Sequence, residues 1–285
     1  MKTALFLREI RVEHTLFALP FAYVGALLAS RGAPPAGALL WITLAVLGAR
    51  TAAMAANRYL DREIDARNPR TSGRALASGA LSPAAMVWAI AIGLAVLLGA
   101  AWMLNPLCVK LMPVAGVLLL FYPLCKRFTW LSHFVLGAVD ALAPLGAFIG
   151  IAGTVTPAAL VLFGAVTIWV AGFDVIYALM DVAVDRTQAL QSLPVRFGEA
   201  AGRALPVVLH VAMLTLLALA GALAHVGPVY FLGVAAAAAL IFYEERLLKL
   251  AENAFVLNQR VFAANMLFSV FFLVTTALSY VRLSR

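Results

Sequence analysis

Charge is scarce in this chain. Asp, Glu, Lys and Arg make up 12% of its 285 residues while 64% are hydrophobic, whereas soluble domains carry about a quarter charged residues. Too little polar side chain is present to cover a water-facing surface, which excludes an ordinary cytosolic globule. Cysteine is nearly missing too. Cys108 and Cys125 lie in or beside apolar runs, with no His or Cys at zinc spacing and no disulfide framework, so both are expected as reduced packing residues. The four His are scattered, and no Ser/His/Asp triad, P-loop or GxGxxG is evident. A secretory signal is not expected either: MKTALFLREIRVEH puts Arg8, Glu9, Arg11, Glu13 and His14 ahead of the apolar LFALPFAYVGALLA, which lacks a cleavage-like end.

Long apolar runs dominate instead. Nine stretches read as spans, near 15–30, 37–57, 83–104, 107–124, 131–151, 158–180, 204–223, 227–243 and 261–281, each approaching the roughly 20 residues a spanning helix needs. An all-α polytopic bundle of about nine transmembrane helices is predicted, with residues 1–285 forming a single integral-membrane domain. The excess of 21 Lys and Arg over 13 Asp and Glu gives +8, and its distribution argues for topology rather than for nucleic acid. With the N-terminus in the cytoplasm, sixteen basic residues fall inside: Lys2, Arg8, Arg11, Arg58, Arg62, Arg67, Arg70, Arg74, Lys126, Arg127, Arg186, Arg196, Arg203, Arg246, Lys249 and Arg260. Only Arg31, Lys110, Arg282 and Arg285 fall outside, and Arg50 lies within a span. That bias predicts an N-in, C-out protein of a bacterial inner membrane. The long, charged connections, 58–82 and 181–203, are both cytoplasmic.

Those two connections carry the chemistry-bearing residues. Asn57, Asp61 and Asp65 recur every four residues, so a helix continuing past the interface would set them in one polar ridge, with Met54 and Arg50 extending it into the membrane. Asp181 and Asp185 repeat the four-residue spacing after the sixth span, and Asp174 precedes Asp181 by seven residues. Carboxylate and amide oxygens are hard ligands suited to Mg²⁺, an ion that commonly bridges to substrate phosphates. Four carboxylates facing one cavity would repel one another without cations, and Arg58, Arg62, Arg70, Arg74, Lys126, Arg127 and Arg196 lie close by in sequence. Together they suggest Mg²⁺ on a diphosphate whose organic tail lies in the bilayer. Departure of an allylic diphosphate leaves a carbocation, which aromatic faces such as Tyr177 and Tyr122 would stabilise.

The stretches NRYLDREIDARNPRT, RALASG, YPLCKRFTWLSHFVLGA and YALMDVAVD followed by RFG resemble the UbiA superfamily of intramembrane aromatic prenyltransferases. EHTLFALPFAY and the NR form of the first motif resemble its 4-hydroxybenzoate polyprenyltransferase-like branch. The resemblance implies a nine-span bundle around a central cavity open to lipid, with Mg²⁺-dependent transfer of a polyprenyl group from polyprenyl diphosphate to an aromatic carboxylate acceptor. By motif position it implies that Asn57, Asp61 and Asp65 hold one Mg²⁺ and Asp181 and Asp185 the other. Lys126 and Arg127 match a basic pair for diphosphate or acceptor. Many members have Asp where this chain has Arg58, so no metal role is carried onto that position.

Other polar residues admit two readings each. Arg50 is either an anchor for an acceptor carboxylate or diphosphate oxygen, or a structural ion pair with Asp174. Asp174 is in turn an orienter of Arg50 or a proton acceptor near the ring. Tyr177 is a contact for the cation or acceptor, or an ordinary interfacial tyrosine. His133 and Asp140 are expected as a hydrogen-bonded pair or cavity lining, and Asn258 and Asn265 as interhelical contacts. Pro69, Gly73 and Gly79 let the connection after the first motif fold over the cavity as a cap, with Ser192, Arg196 and Gly198 at the equivalent place after the second.

The leading expectation is prenylation of 4-hydroxybenzoate in ubiquinone-type quinone biosynthesis. The alternative acceptor is a dihydroxynaphthoate on a futalosine route to menaquinone. A cation-coupled transporter is the reading from another class; it predicts acids near the membrane midplane rather than at span ends.

Overall fold

The computed structural model describes residues 2–10, 15–250 and 254–281. Arg11, Glu13, His14, Arg282 and Arg285, which entered the charge arguments above, lie outside the described residues. Twelve helices and no strand occur among those described: α1 (Lys2–Glu9), α2 (Thr15–Ser30), α3 (Ala36–Arg67), α4 (Pro83–Leu104), α5 (Pro106–Cys125), α6 (Ser132–Ala152), α7 (Pro157–Ala178), α8 (Val182–Thr187), α9 (Leu193–Phe197), α10 (Glu199–Leu223), α11 (Tyr230–Leu250) and α12 (Ala254–Leu278).

Local chemistry sets the boundaries. Pro83, Pro106 and Pro157 occupy first-turn positions, where their fixed φ suits a helix and their missing N–H costs nothing. The Asn105 side chain accepts from the N–H groups of Leu107 and Cys108 and donates to the carbonyls of Ile149 and Gly150, so one amide caps the start of α5 and the end of α6. Gly153 ends α6 at φ +65°, a left-handed turn that a side chain would strain.

Nine long helices among the described residues pack in a closed ring. Each of α2 to α7 touches the next, α7 passes to α10, α11 follows α10, and α12 returns to α2. Seven of them are long and apolar enough to cross a membrane: α3, α4, α5, α6, α7, α10 and residues 256–278 of α12. The other two candidate spans differ. In α2 the apolar stretch is the shorter Phe17–Ser30, and α11 carries Glu244, Glu245 and Arg246 in its second half.

Small residues allow the close approaches that hold such a bundle in lipid, where no hydrophobic force draws helices together. Gly48 of α3 and Gly93 of α4 face each other so closely that a Cβ on either would stand 2.6 Å from the other's carbonyl oxygen. An aromatic core forms between α2, α7 and α12. Phe17 stacks on Trp169 at 5.0 Å and Phe21 on Phe272 at 5.5 Å.

Three departures from the expected elements bear on the site. The second span does not stop at 57: α3 runs on for ten residues to Arg67, carrying the first acidic motif on continuous helix. The sixth ends at Ala178 instead of 180, and a turn separates α7 from α8. Asp181 therefore stands at the cap position of the short α8 rather than on α7's own face.

Candidate active site

The helical extension of α3 settles the first motif. Asn57, Asp61 and Asp65 lie four residues apart on one helix, and Asp61 and Asp65 are buried at its cytoplasm-predicted end. Asn57 Nδ2 donates to Asp61 Oδ2 at 3.1 Å. Lys126, at the end of α5, donates to the same oxygen at 2.6 Å, and Arg127 stands 3.7 Å from Asp61 Oδ1 while donating to the Leu60 carbonyl. Asp61 Oδ1 is buried and accepts no hydrogen bond. Arg74 Nη1 meets Asp65 Oδ2 at 2.6 Å.

The second motif is drawn to the first by the intervening loop. Arg70 donates from Nε and Nη2 to the two oxygens of Asp181, at 3.0 and 2.5 Å, and Asn68 Nδ2 adds a third bond at 3.2 Å. Lys126 O accepts from Gln191 N, so the end of α5 also holds the chain after α8. Asp185 forms no ion pair among the described residues. Burial, then the neighbouring Asp181, raises its carboxyl to about 6, against the opposing pull of Lys126, the Ser192 hydroxyl and His133.

Beside these groups lies a cavity of about 340 Å³, lined by Asn57, Lys126, Asp174, Asp181 and Asp185 and by the rings of Phe17, Tyr122, Phe173, Tyr177 and Phe262, while Asp61 and Asp65 stay buried behind its wall. Arg50 and Asp140 line it too, and they also line a second, almost wholly apolar cavity of about 250 Å³. That second space runs between α3, α4, α5 and α6 past Val46 and Leu97 to Leu104 and Cys108, at the opposite end of the bundle from the acids.

The ion pairs inside the bundle differ from expectation. Arg50 pairs with Asp140 at 2.6 Å and not with Asp174, while His133 bonds Asp174 at 2.7 Å and not Asp140, although both His133 and Asp140 line the cavity, the other reading given for them. Helix packing is the reason: α3 touches α6, which carries Asp140, whereas Asp174 on α7 faces α6 at the level of His133. His133 Nε2 accepts from Leu193 N at 3.2 Å, which leaves the Nδ1 proton for Asp174. Arg50 Nε is buried with no hydrogen-bond partner among the described residues.

Arg196 is a second correction. It sits exposed on α9 and does not line the cavity. Ser192 caps this five-residue helix, and Phe197 packs edge-on against Trp130, which fixes the turn with Arg196 outward. Tyr177 does line the cavity and donates to the Asn258 carbonyl at 3.3 Å. Asn265 makes the expected interhelical bonds, to Trp169 and Glu244, but the Asn258 side chain makes none among the described residues.

Sequence reading missed the role of Arg58 and Glu9. Arg58 is buried, donating to the Glu9 carbonyl at 3.1 Å and to Asn57 Oδ1 at 3.0 Å. The Glu9 carboxylate accepts from Ala75 N at 2.8 Å and Leu76 N at 3.5 Å. An acid so close to the chain start gave no signal in its spacing; only the fold brings it under the loop.

Fit to a divalent cation follows from these oxygens. Among the described residues no three acidic, His or Cys side chains gather closely enough to hold an ion by themselves. Asp185 in the cavity wall and Asp61 Oδ1 just behind it are hard oxygens, of the kind that suits an ion completing its shell with substrate phosphate.

Comparison with known proteins gives the same picture. The chain is 35% identical over 225 residues to a 4-hydroxybenzoate octaprenyltransferase of Alkalilimnicola ehrlichii, covering 79% of this chain and 76% of that one. It is 31% identical to the Shewanella woodyi protein of the same name, covering 89% of each. In fold it matches the apo structure of a UbiA homolog from Aeropyrum pernix K1 with a TM-score of 0.85 at 31% identity, over 94% of this chain and 98% of that one. An Archaeoglobus fulgidus UbiA homolog bound to GPP and Mg²⁺ shares the fold at a TM-score of 0.70 and 18% identity, over 95% and 99% of the two chains. Residues 18–266 match the UbiA prenyltransferase family, and the chain belongs to that family, as an integral membrane enzyme of the prenyltransferase class.

Proposed function

We propose that this protein transfers a polyprenyl group from polyprenyl diphosphate to the ring of 4-hydroxybenzoate, in a Mg²⁺-dependent step of ubiquinone-type quinone biosynthesis. One observation carries the reading: Asp181 and Asp185 line a basic cavity that continues, past Arg50 and Asp140, into an apolar space, and Lys126 and Arg74 in its wall pair with Asp61 and Asp65 of the first motif, more than a hundred residues away. The names of the relatives support the acceptor, and the Archaeoglobus homolog bound to GPP and Mg²⁺ supports the donor and the metal. The chain works as one membrane unit, N-terminus and site facing the cytoplasm, as the basic residues favour.

Asn57, Asp61 and Asp65 would hold one Mg²⁺ and Asp181 and Asp185 the other. When bound, the metal neutralises charge on the leaving diphosphate. Lys126, Arg127, Arg70 and Arg74, which here pair with the acids, turn to the diphosphate oxygens. The tail lies in the apolar space between α3 and α6.

The allylic C–O bond breaks with its electron pair leaving on the diphosphate, and the faces of Tyr122, Phe173 and Tyr177 flank the resulting cation. Arg50 holds the acceptor carboxylate through its unpaired Nε. The ring carbon ortho to the phenol forms the new C–C bond, and its proton passes to Asp174, which His133 orients. The 68–82 loop, pinned over the cavity by Arg70 and Arg74, keeps water from the cation.

The test is product analysis by mass spectrometry with Mg²⁺, a long-chain prenyl diphosphate and 4-hydroxybenzoate or a dihydroxynaphthoate in parallel. Prenylated hydroxybenzoate as the main product supports this reading. Prenylated naphthoate alone replaces the acceptor, and folded protein that makes neither refutes it.

A further inference from the structure

Beyond the central cavity the protein holds a larger one, of about 640 Å³, between α1, the 68–82 loop and the first turns of α12. Arg70, Arg74, Tyr177 and Phe262 line both spaces, so a single layer of side chains separates them. Arg8, Arg58, Arg70 and Arg74 face it against one acid, Glu9. Arg70 and Arg74 are committed to Asp181 and Asp65, and Arg58 is held by the Glu9 carbonyl. Arg8 forms no ion pair among the described residues and is exposed.

Asn258 is the informative residue. The residue lines this cavity and is only 4% exposed, and among the described residues neither its buried amide nitrogen nor its amide oxygen has a hydrogen-bond partner. Buried amides are almost always satisfied, because an unpaired one forfeits its bonds to water. The Tyr177 hydroxyl bonds the Asn258 backbone carbonyl.

A ligand that uses both ends of an amide in a positive cavity is narrowly defined. It needs an anionic group for the arginines, an acceptor for Nδ2 and an O–H or N–H donor for Oδ1, a set that a hydroxylated carboxylate supplies. A fully ionised diphosphate has only acceptors and leaves Oδ1 unpaired. The mixed lining and the volume suit a small polar molecule better than a polyprenyl tail.

We infer that this cavity is a receiving site for a hydroxylated aromatic carboxylate, in which Asn258 and Arg8 bind the acceptor before it passes the Arg70, Arg74 and Tyr177 layer. The inference rests on the proposed acceptor class but concerns a site separate from the one where the bond forms. Lipid-soluble donor and water-soluble acceptor would thereby reach the reacting centre from different sides.

The experiment compares wild type, Asn258→Leu and Arg8→Gln, purified in lipid nanodiscs. Equilibrium binding of 4-hydroxybenzoate, of benzoate and of inorganic diphosphate is measured without prenyl donor, alongside thermal stability and steady-state kinetics. Asn258→Leu is expected to weaken hydroxybenzoate about tenfold, the scale of one lost hydrogen bond pair, and benzoate much less. It should raise the KM for the acceptor while kcat and the KM for prenyl diphosphate stay within twofold, and it should not lower thermal stability. Arg8→Gln should weaken both carboxylates alike. Unchanged hydroxybenzoate binding in folded Asn258→Leu protein, or a loss confined to diphosphate, overturns the inference. Absence of turnover in the wild type would instead count against the proposed reaction, and the binding comparison would still decide this site.

Discussion

Arg70 grips both oxygens of Asp181 with Nε and Nη2, joining the loop after the first acidic motif to the first acid of the second. The fork geometry is specific to arginine: a lysine offers one point charge and cannot make two parallel bonds. Arg70 is thus placed to trade Asp181 for a diphosphate oxygen without leaving the cavity.

Replacing Arg70 should therefore act on the donor. Arg70→Ala is expected to raise the KM for prenyl diphosphate at least tenfold with little change in the KM for the acceptor, and Arg70→Lys should recover only part of that loss. Steady-state kinetics with each substrate varied in turn checks this. Equal effects on both substrates would make Arg70 a general fastener of the two motifs.

Glu9 and Arg58 hold the loop from below. The Glu9 carboxylate takes two loop N–H groups and its carbonyl takes Arg58, with both side chains buried. Removing one member of a buried charged network leaves the rest uncompensated, at a cost of about 3 kcal/mol. Glu9→Ala should lower thermal stability accordingly and open Arg70 and Arg74 to trypsin, which native-state proteolysis would detect. A variant as stable and as resistant as wild type would contradict the clamp.

Arg50 separates the two cavities, and its partner makes its test informative. Arg50→Ala should weaken a carboxylated acceptor far more than an uncharged analogue, because Nε offers the acceptor a bond that Asp140 leaves unused. It should also leave Asp140 without its cation, so Asp140→Asn added to Arg50→Ala should restore stability but not acceptor affinity. Restored affinity in the double variant would reduce Arg50 to a structural role.

Asp185 supplies a pH signature. Its folded value, raised from 3.8 to about 6, means the folded protein binds this proton more tightly than the unfolded chain. Its contribution is then full below about pH 3.8 and is lost as pH rises through about 6. In chelator-treated protein, wild type should lose thermal stability relative to Asp185→Asn across that window. Parallel pH profiles for the two proteins would show that Asp185 titrates normally.

Much of this site was legible in the residues. The four-residue spacing of Asn57, Asp61 and Asp65 required only that helix persist to Arg67, and the apolar runs gave helix positions to within a few residues. What spacing does not carry is which helices touch. Whether Arg50 meets Asp140 or Asp174 depends on α3 packing against α6, a relation between segments far apart in sequence. Arg196 failed for a local reason: Ser192 starts a one-turn helix that points it outward. Glu9 and Asn258 were invisible as site residues because each acts across the fold, one on a loop 66 residues away and the other on a cavity.

The most direct measurement is Mg²⁺-dependent formation of prenylated 4-hydroxybenzoate by wild type, Asp61→Asn and Asp185→Asn in nanodiscs, each shown folded. One acid from each motif is altered, so the pair tests whether both carboxylate sets serve one reaction. Product from the wild type, abolished by chelation and reduced at least a hundredfold in both variants, is the expected result. Turnover at the wild-type rate in either folded variant would contradict it.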